Sequence, residues 1–271
     1  MAAKTVLRYQ TESVLRELVT TVVSWQALSK LEENERALFK TVLDSTEGAV
    51  VTKETIFHPQ GGGQPSDVGT ITTDPDSQFK FDVKLVRKLP NGLVLHAGNR
   101  LPPLPEIEPV FSEAQPVVLK VDDDTRNYHS RLHTAGHLIG LAVRGLESTI
   151  GAVTELKANH APGTACVEFG GSIASEHKDA IQAAVDEMVA SNLNVLVKWW
   201  DTEQVKRDCM SVPDVVPADE GELWRVVEVE GKGSYPCGGT HLPTTSDVGQ
   251  VIVKKISRAK GKSKISYDIV R

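Results

Sequence analysis

Two short segments pair metal-ligating side chains at a spacing of four: His133-Thr134-Ala135-Gly136-His137 and, much later in the chain, Cys237-Gly238-Gly239-Thr240-His241. On a helix, residues four apart project from one face, so His133 and His137 can offer ring nitrogens to a single ion. The second pair needs a bend: Gly238 and Gly239 permit backbone angles that other residues avoid, and Pro236 stiffens the approach, so Cys237 and His241 can fold inward from a loop. One thiolate and three imidazoles form a borderline-soft set, suited to one zinc ion (Zn2+) rather than magnesium or calcium. A lone HxxxH is common on helix surfaces. Joined to a CxxxH bend, in a chain of eight histidines and three cysteines, it favours a metal site over a buried cysteine beside unrelated histidines. Four protein ligands would close the shell, as in structural sites, whereas a catalytic site keeps a position for water; the spacing leaves both open. Thr134 stands where HExxH carries its glutamate base, which argues against a zincin protease.

A third segment, Phe57 to Asp67, holds three consecutive glycines at 61–63. Such a run costs backbone entropy unless something approaches closely. It is either a plain hairpin loop or a cradle in which Gln60, Gln64 and Asp67 place amide and carboxylate groups beside exposed backbone amides, to hold a substrate's amino group or a ribose hydroxyl. His58 has no ligand partner at useful spacing and is read as structural or exposed.

These groups need elements to position them. Before the proline-rich passage of Pro102, Pro103, Pro105, Pro109 and Pro116, apolar and β-branched runs predict strands at Leu18–Trp25, Phe39–Leu43, Val50–Phe57, Thr70–Thr72, Phe79–Leu89 and Leu93–His96, with an exposed Glu-rich helical insertion at Ser29–Arg36. The prolines mark a boundary. After a strand at Val117–Val121, Asp122, Asp123 and Asp124 are placed to cap a helix carrying HTAGH. Further strands are expected at Ala165–Phe169, Val195–Trp200, Trp224–Val229, Gln250–Ile256 and Ile265–Val270, with a helix at Ile173–Ala190. The class is α+β: an N-terminal small β-barrel domain over residues 1–116, then an α+β domain with the zinc site over 117–271.

Composition narrows the setting. No run approaches the roughly 18 apolar residues that cross a bilayer, so no membrane association is expected. Glu12, Arg16 and Glu17 interrupt any secretory signal. Three scattered cysteines fit a reducing compartment, and a cytoplasmic location is expected; Cys166 is read as core and Cys209 as an exposed thiol. The net charge of −6 disfavours a polyanionic partner, yet Lys254, Lys255, Arg258, Lys260, Lys262 and Lys264 fall in one stretch without an acid, a local positive site on an acidic body. Taken alone, that run reads more readily as a solvated β-turn. Trp199, Trp200 and Trp224 are read as core or interface residues.

In order, GGGQPSDVG, HTAGH and PCGGTHLPTT resemble the editing region of alanyl-tRNA synthetase and its free-standing relatives, the alanyl-tRNA trans-editing proteins of the AlaX family, whose medium-length members place a barrel-like domain first. The resemblance implies a trans-editing aminoacyl-tRNA deacylase acting on mischarged tRNA(Ala), Ser-tRNA(Ala) and Gly-tRNA(Ala) among its substrates; separately, the chain is expected to act as a monomer and to need no ATP for hydrolysis. It implies His133, His137, Cys237 and His241 as zinc ligands and Gln64 and Thr134 as catalytic-pocket residues. Substrate contacts are expected at Gly62, Gly63 and Asp67, and phosphate contacts at Arg126, Arg131, Lys260, Lys262 and Lys264. The chain departs from synthetase versions at Gly136, where they often carry a hydroxyl residue; Thr134 is the nearest substitute. Two other readings stand beside it: a non-catalytic, zinc-stabilised RNA-binding module, and a metallohydrolase for some other ester.

Overall fold

A computed structural model describes residues 3–42, 46–74, 80–101, 111–210 and 223–270. It divides into two compact units, Met1–Gly61 with Pro65–Arg126, and Gly62–Gln64 with Asn127–Arg271.

The first unit contains β1 (Val6–Leu7), α1 (Arg8–Thr11), β2 (Glu17–Ala27), α2 (Glu33–Arg36), β3 (Gly48–Thr52), β4 (Glu54–Thr55), β5 (Gly69–Thr72), β6 (Lys80–Lys88), β7 (Val94–Leu101) and β8 (Pro116–Val121). Six of these close a barrel in the order β2-β3-β7-β6-β5-β8. Its strands are buried on two faces. Val50, Val86 and Val94 join one apolar cluster, while their neighbours Ala49, Val51, Leu85 and Leu95 join a second with Leu28, Leu31 and Phe39. Bulges between Val22 and Ser24 and between Val83 and Leu85 shift the register, so Phe81, Val83 and Val86 reach one cluster despite the odd step from 83 to 86.

Two expectations change here. Phe39–Val42 is not a strand; Phe39 ends a 3-10 turn, wholly buried against the outer cluster, and Leu43 lies outside the described residues. The insertion at 29–36 is exposed at Ser29, Lys30, Glu32, Glu33 and Asn34 but not throughout, since Leu31 within it is buried. Pro102, Pro103, Pro105 and Pro109 lie outside the described residues. Pro116 opens β8, which follows the expected boundary yet completes the barrel by pairing with both β2 and β5.

The second unit is built on α3 (Asp123–Gly145), in which the division falls after Arg126, followed by α4 (Glu147–Ile150). Asp122 accepts from the Thr125 amide at 2.9 Å and Asp123 and Asp124 fill the first turn, the capping role expected of them. Then come β9 (Thr154–Asn159), β10 (Cys166–Gly170), α5 (Lys178–Ala190), β11 (Val195–Trp200), α6 (Thr202–Asp208), β12 (Trp224–Val229), β13 (Gly233–Pro236), β14 (Val251–Ala259) and β15 (Lys262–Ile269). They form a sheet β14-β15-β10-β9 and a sheet β11-β12-β13. Leu132, Ala135, Leu138 and Ile139 of α3 and Ile181, Val185 and Met188 of α5 share one core with both sheets. Gln182 satisfies the edge strand β14: its amide donates to Val251 O at 2.9 Å and accepts from Val253 N at 2.7 Å. Among the described residues no helix is long and apolar enough to cross a membrane.

Candidate metal centre

The second unit brings the two spaced pairs together. His133 and His137 lie one turn apart on α3, and Cys237 and His241 lie in the turn that leaves β13. Their four donor atoms fall within 4.8 Å of one another, and the group could hold a metal ion. Cys237 Sγ is 3.5 Å from His133 Nε2 and 3.3 Å from His241 Nε2. Metal bonds of about 2.3 Å to sulfur and about 2.0 Å to nitrogen at tetrahedral angles give edges of about 3.5 Å, so these separations fit one shared ion.

Hydrogen bonds set which ring nitrogen faces the cluster. Thr240 N donates to Gln64 Oε1 at 3.0 Å, which fixes the amide's orientation, and Gln64 Nε2 donates to Thr240 Oγ1 at 2.7 Å. Gln64 Oε1 therefore accepts from His133 Nδ1 at 2.7 Å, and the lone pair sits on Nε2. Thr134 Oγ1 lies 3.2 Å from His241 Nδ1 and accepts from Leu242 N at 3.3 Å. Ser130 Oγ meets Thr240 Oγ1 at 2.7 Å, closing the network. His137 Nδ1 is buried with no hydrogen-bond partner among the described residues, a costly state for a polar atom.

Electrostatics agree with a cation at this point. Burial, with electrostatic contributions from His160 and Arg225 next, pushes His137 down to about 3, so it stays a neutral metal donor. Burial pushes the Cys237 thiol up, against the Gly239 amide and Arg225, so its thiolate form calls for an adjacent cation. Arg225 Nη1 also donates to Cys237 O at 2.5 Å, while Cys237 N donates to Arg225 O at 3.0 Å, clamping the turn to β12.

Gly239 serves close approach rather than an unusual backbone angle: a Cβ there would stand 2.5 Å from His133 Nδ1 and 2.7 Å from Gln64 Oε1. Gly63, at φ 80, does both, since a Cβ would overlap Ala158 O, and its own carbonyl accepts from His160 N at 2.8 Å. Gly62, at φ 56, faces open space.

Other expected contacts are already engaged. In the barrel unit, Asp67 is wholly buried and holds Arg126 through two hydrogen bonds, Nε to Oδ1 at 2.9 Å and Nη2 to Oδ2; His58 N also donates to Asp67, and Arg126 Nη2 to Ile56 O at 2.6 Å. Arg131 donates to Val248 O at 3.0 Å and Val270 O at 2.6 Å. Lys260, Lys262 and Lys264 are exposed at and beside the β14–β15 turn. Cys166 is buried, Cys209 half-buried, and Trp199 is 42 % exposed.

Three neighbours carried no spacing signal. His160, 2 % exposed, stacks on His133 with centroids 4.1 Å apart. Tyr235 packs on His137 at 4.6 Å and donates to Glu155 at 3.1 Å, a carboxyl that burial raises to about 7. A buried lone histidine after a polar strand was the only sequence clue to His160.

The family described as threonyl and alanyl tRNA synthetase second additional domain matches residues 224–265, the stretch that holds Cys237 and His241. The alanine–tRNA ligase of Korarchaeum cryptofilum is 31% identical over 236 residues, 85% of this chain and 24% of that one. That of Methanococcoides burtonii is 26% identical over 247 residues, 87% of this chain and 25% of its own length. The alanyl-tRNA editing protein Aarsd1 of Rattus norvegicus is 28% identical over 261 residues, 93% of this chain and 55% of that protein. The chain thus spans about a quarter of these ligases and about half of the editing protein. Together with the convergence of the HTAGH and CGGTH pairs on one point, these similarities support an AlaX-type alanyl-tRNA editing protein.

Proposed function

We propose that this chain hydrolyses the ester joining a wrongly attached amino acid, serine or glycine, to the terminal adenosine of tRNA(Ala). Water adds to the ester carbonyl, the bond from carbonyl carbon to ribose oxygen breaks, that oxygen takes the proton, and free amino acid and tRNA leave. The observation that carries this reading is the convergence of His133, His137, Cys237 and His241 in one unit of a chain related to proteins named for alanyl-tRNA editing. Zinc fits the nitrogen and sulfur donors, and when bound it would supply a Lewis acid for the substrate's α-amino group. Gln64 and Thr134 act on the site through the ligands: each hydrogen-bonds the ring nitrogen opposite the metal-facing one, on His133 and His241 respectively. Gly62 leaves an open backbone beside them. Lys260, Lys262 and Lys264 are exposed and available to tRNA phosphates, whereas Arg126 and Asp67 hold the barrel unit together.

The test measures zinc content and deacylation of seryl-, glycyl- and alanyl-tRNA(Ala) on one preparation. The intact chain is expected to carry one zinc and to release serine without ATP, and His133→Ala to lose both properties. A zinc-loaded chain that binds RNA and leaves seryl-tRNA(Ala) intact would overturn the reading in favour of a structural zinc module.

A further inference from the structure

The ring of His160 lies in a space that α3 leaves at Gly136. A Cβ at 136 would stand 2.5 Å from His160 Nδ1 and 2.7 Å from the Tyr267 hydroxyl, so any side chain larger than hydrogen excludes this placement. Tyr267 donates its hydroxyl to Leu132 O at 2.9 Å, so the same oxygen accepts from His160 Nδ1 at 2.7 Å. The proton therefore resides on Nδ1, and Nε2 keeps its lone pair, with no hydrogen-bond partner among the described residues. Nε2 is bonded to Cε1, which faces Gly136, and to Cδ2, which faces Gly63, so its edge of the ring lies between the glycine loop and the ligand helix. The ring is nearly parallel to His133, at 23°. Thr134, the nearest hydroxyl in sequence, is wholly buried and already meets His241 Nδ1 and Leu242 N.

Resting on the editing reading above, we infer that His160 Nε2 accepts a hydrogen bond from the serine hydroxyl of the aminoacyl group, and that Gly136 and His160 together form the serine-selecting contact of this chain. A site built around a hydroxyl rejects the analogue lacking it, because the acceptor, once the bound substrate excludes water, is left unpaired. Alanine and glycine both lack a hydroxyl, so this contact discriminates against both and makes glycine a poorer substrate than serine.

The probes are two non-hydrolysable esters' amide counterparts, 3′-seryl- and 3′-alanyl-amino-3′-deoxyadenosine, titrated calorimetrically into the zinc-loaded chain. Seryl over alanyl deacylation of tRNA(Ala) is measured in parallel. The intact chain is expected to favour serine by about tenfold or more in both measurements. His160→Asn keeps a group at the Nδ1 position but lacks one at Nε2, and should bring both ratios close to one. His160→Gln places an acceptor near Nε2 and should recover part of the preference. Tyr267→Phe releases Nδ1 without entering the pocket and should lower the ratio as well, an independent check should the His160 variants fail to fold. Ratios unchanged in His160→Asn and Tyr267→Phe, on a chain that still cleaves seryl-tRNA(Ala), would overturn this inference alone. An intact chain that neither cleaves that substrate nor distinguishes the probes would bring down the editing reading and this inference together.

Discussion

A buried glutamine amide has four hydrogen-bonding opportunities, and at Gln64 three of them are used by two residues, through the Thr240 backbone and hydroxyl and the His133 ring. The side chain thus joins the glycine loop to both ligand segments. Gln64→Ala removes the acceptor that holds His133 Nδ1, leaves the Thr240 amide without it, and frees the ring to turn. Loss of such outer partners typically costs about 10–100-fold in metal affinity, and competition with a colorimetric chelator should show a change of that size. Gln64→Glu retains an acceptor for both donors and should lose less; equal losses in the two variants would sink the orienting role. The four ligand candidates were legible because spacing of four is a local property of helices and tight bends. Gln64 and Thr240 are 176 positions apart, and no local pattern marks that pairing. Asp67 and Arg126 were misread for a related reason: single charges are ordinarily exposed, and only the fold puts these two against each other with 0 % and 1 % of their side-chain surface left.

Helix α3 is the element whose composition makes least sense locally. Gly136 and Gly140 each cost about 1 kcal/mol against alanine in a helix interior, yet they sit on the face that carries the ligands. Gly136 admits His160 and Tyr267, and Gly140 admits Tyr235 and Glu155, whose Oε2 would lie 2.5 Å from a Cβ at 140. Gly145 at the end of the helix has nothing within 4 Å of such an atom. Gly140→Ala should therefore destabilise the chain by about 1–3 kcal/mol through overpacking, propensity notwithstanding, whereas Gly145→Ala should be neutral or stabilise it by up to about 1 kcal/mol. Urea melts of the two variants read the difference, and a Gly140→Ala protein as stable as the parent would show that the close packing is not required. The helix itself was visible in the sequence from its carboxylate cap and apolar period. Strand β6 was visible too, but not which face each residue takes, because the bulge between Val83 and Leu85 breaks the alternation on which such assignments depend. Phe39 was misplaced because a short apolar run reads as a strand whether it pairs or plugs a barrel's outer face.

At the scale of the whole molecule, charge decides how a chain of net −6 approaches a polyanion. The basic stretch was legible in the sequence; how much of that stretch is free was not. Lys254 Nζ is held 2.6 Å from Asp268, and Lys264 lies across from Glu168 in the β10–β15 register, which already faces Lys157. Lys260 at φ 50, followed by Gly261 at φ 73, turns the chain, and with Lys262 it forms the tip, where neither lysine makes an ion pair among the described residues. On the editing reading these tip charges lower the barrier to approach by displacing counterions from tRNA, a contribution independent of sequence and sensitive to salt. Replacing Lys260, Lys262 and Lys264 together by alanine should weaken tRNA binding at low salt and reduce the slope of log affinity against log salt by roughly 2, while the arginine triple variant, which keeps the charge, should retain it. Filter binding across a salt titration measures both. Since none of the three touches the His133–Cys237 cluster, cleavage of the short 3′-aminoacyl adenosine ester should proceed at the parent rate in the alanine variant. An unchanged slope would remove the hairpin from the tRNA path and leave the acidic body to be steered by charges elsewhere on the chain.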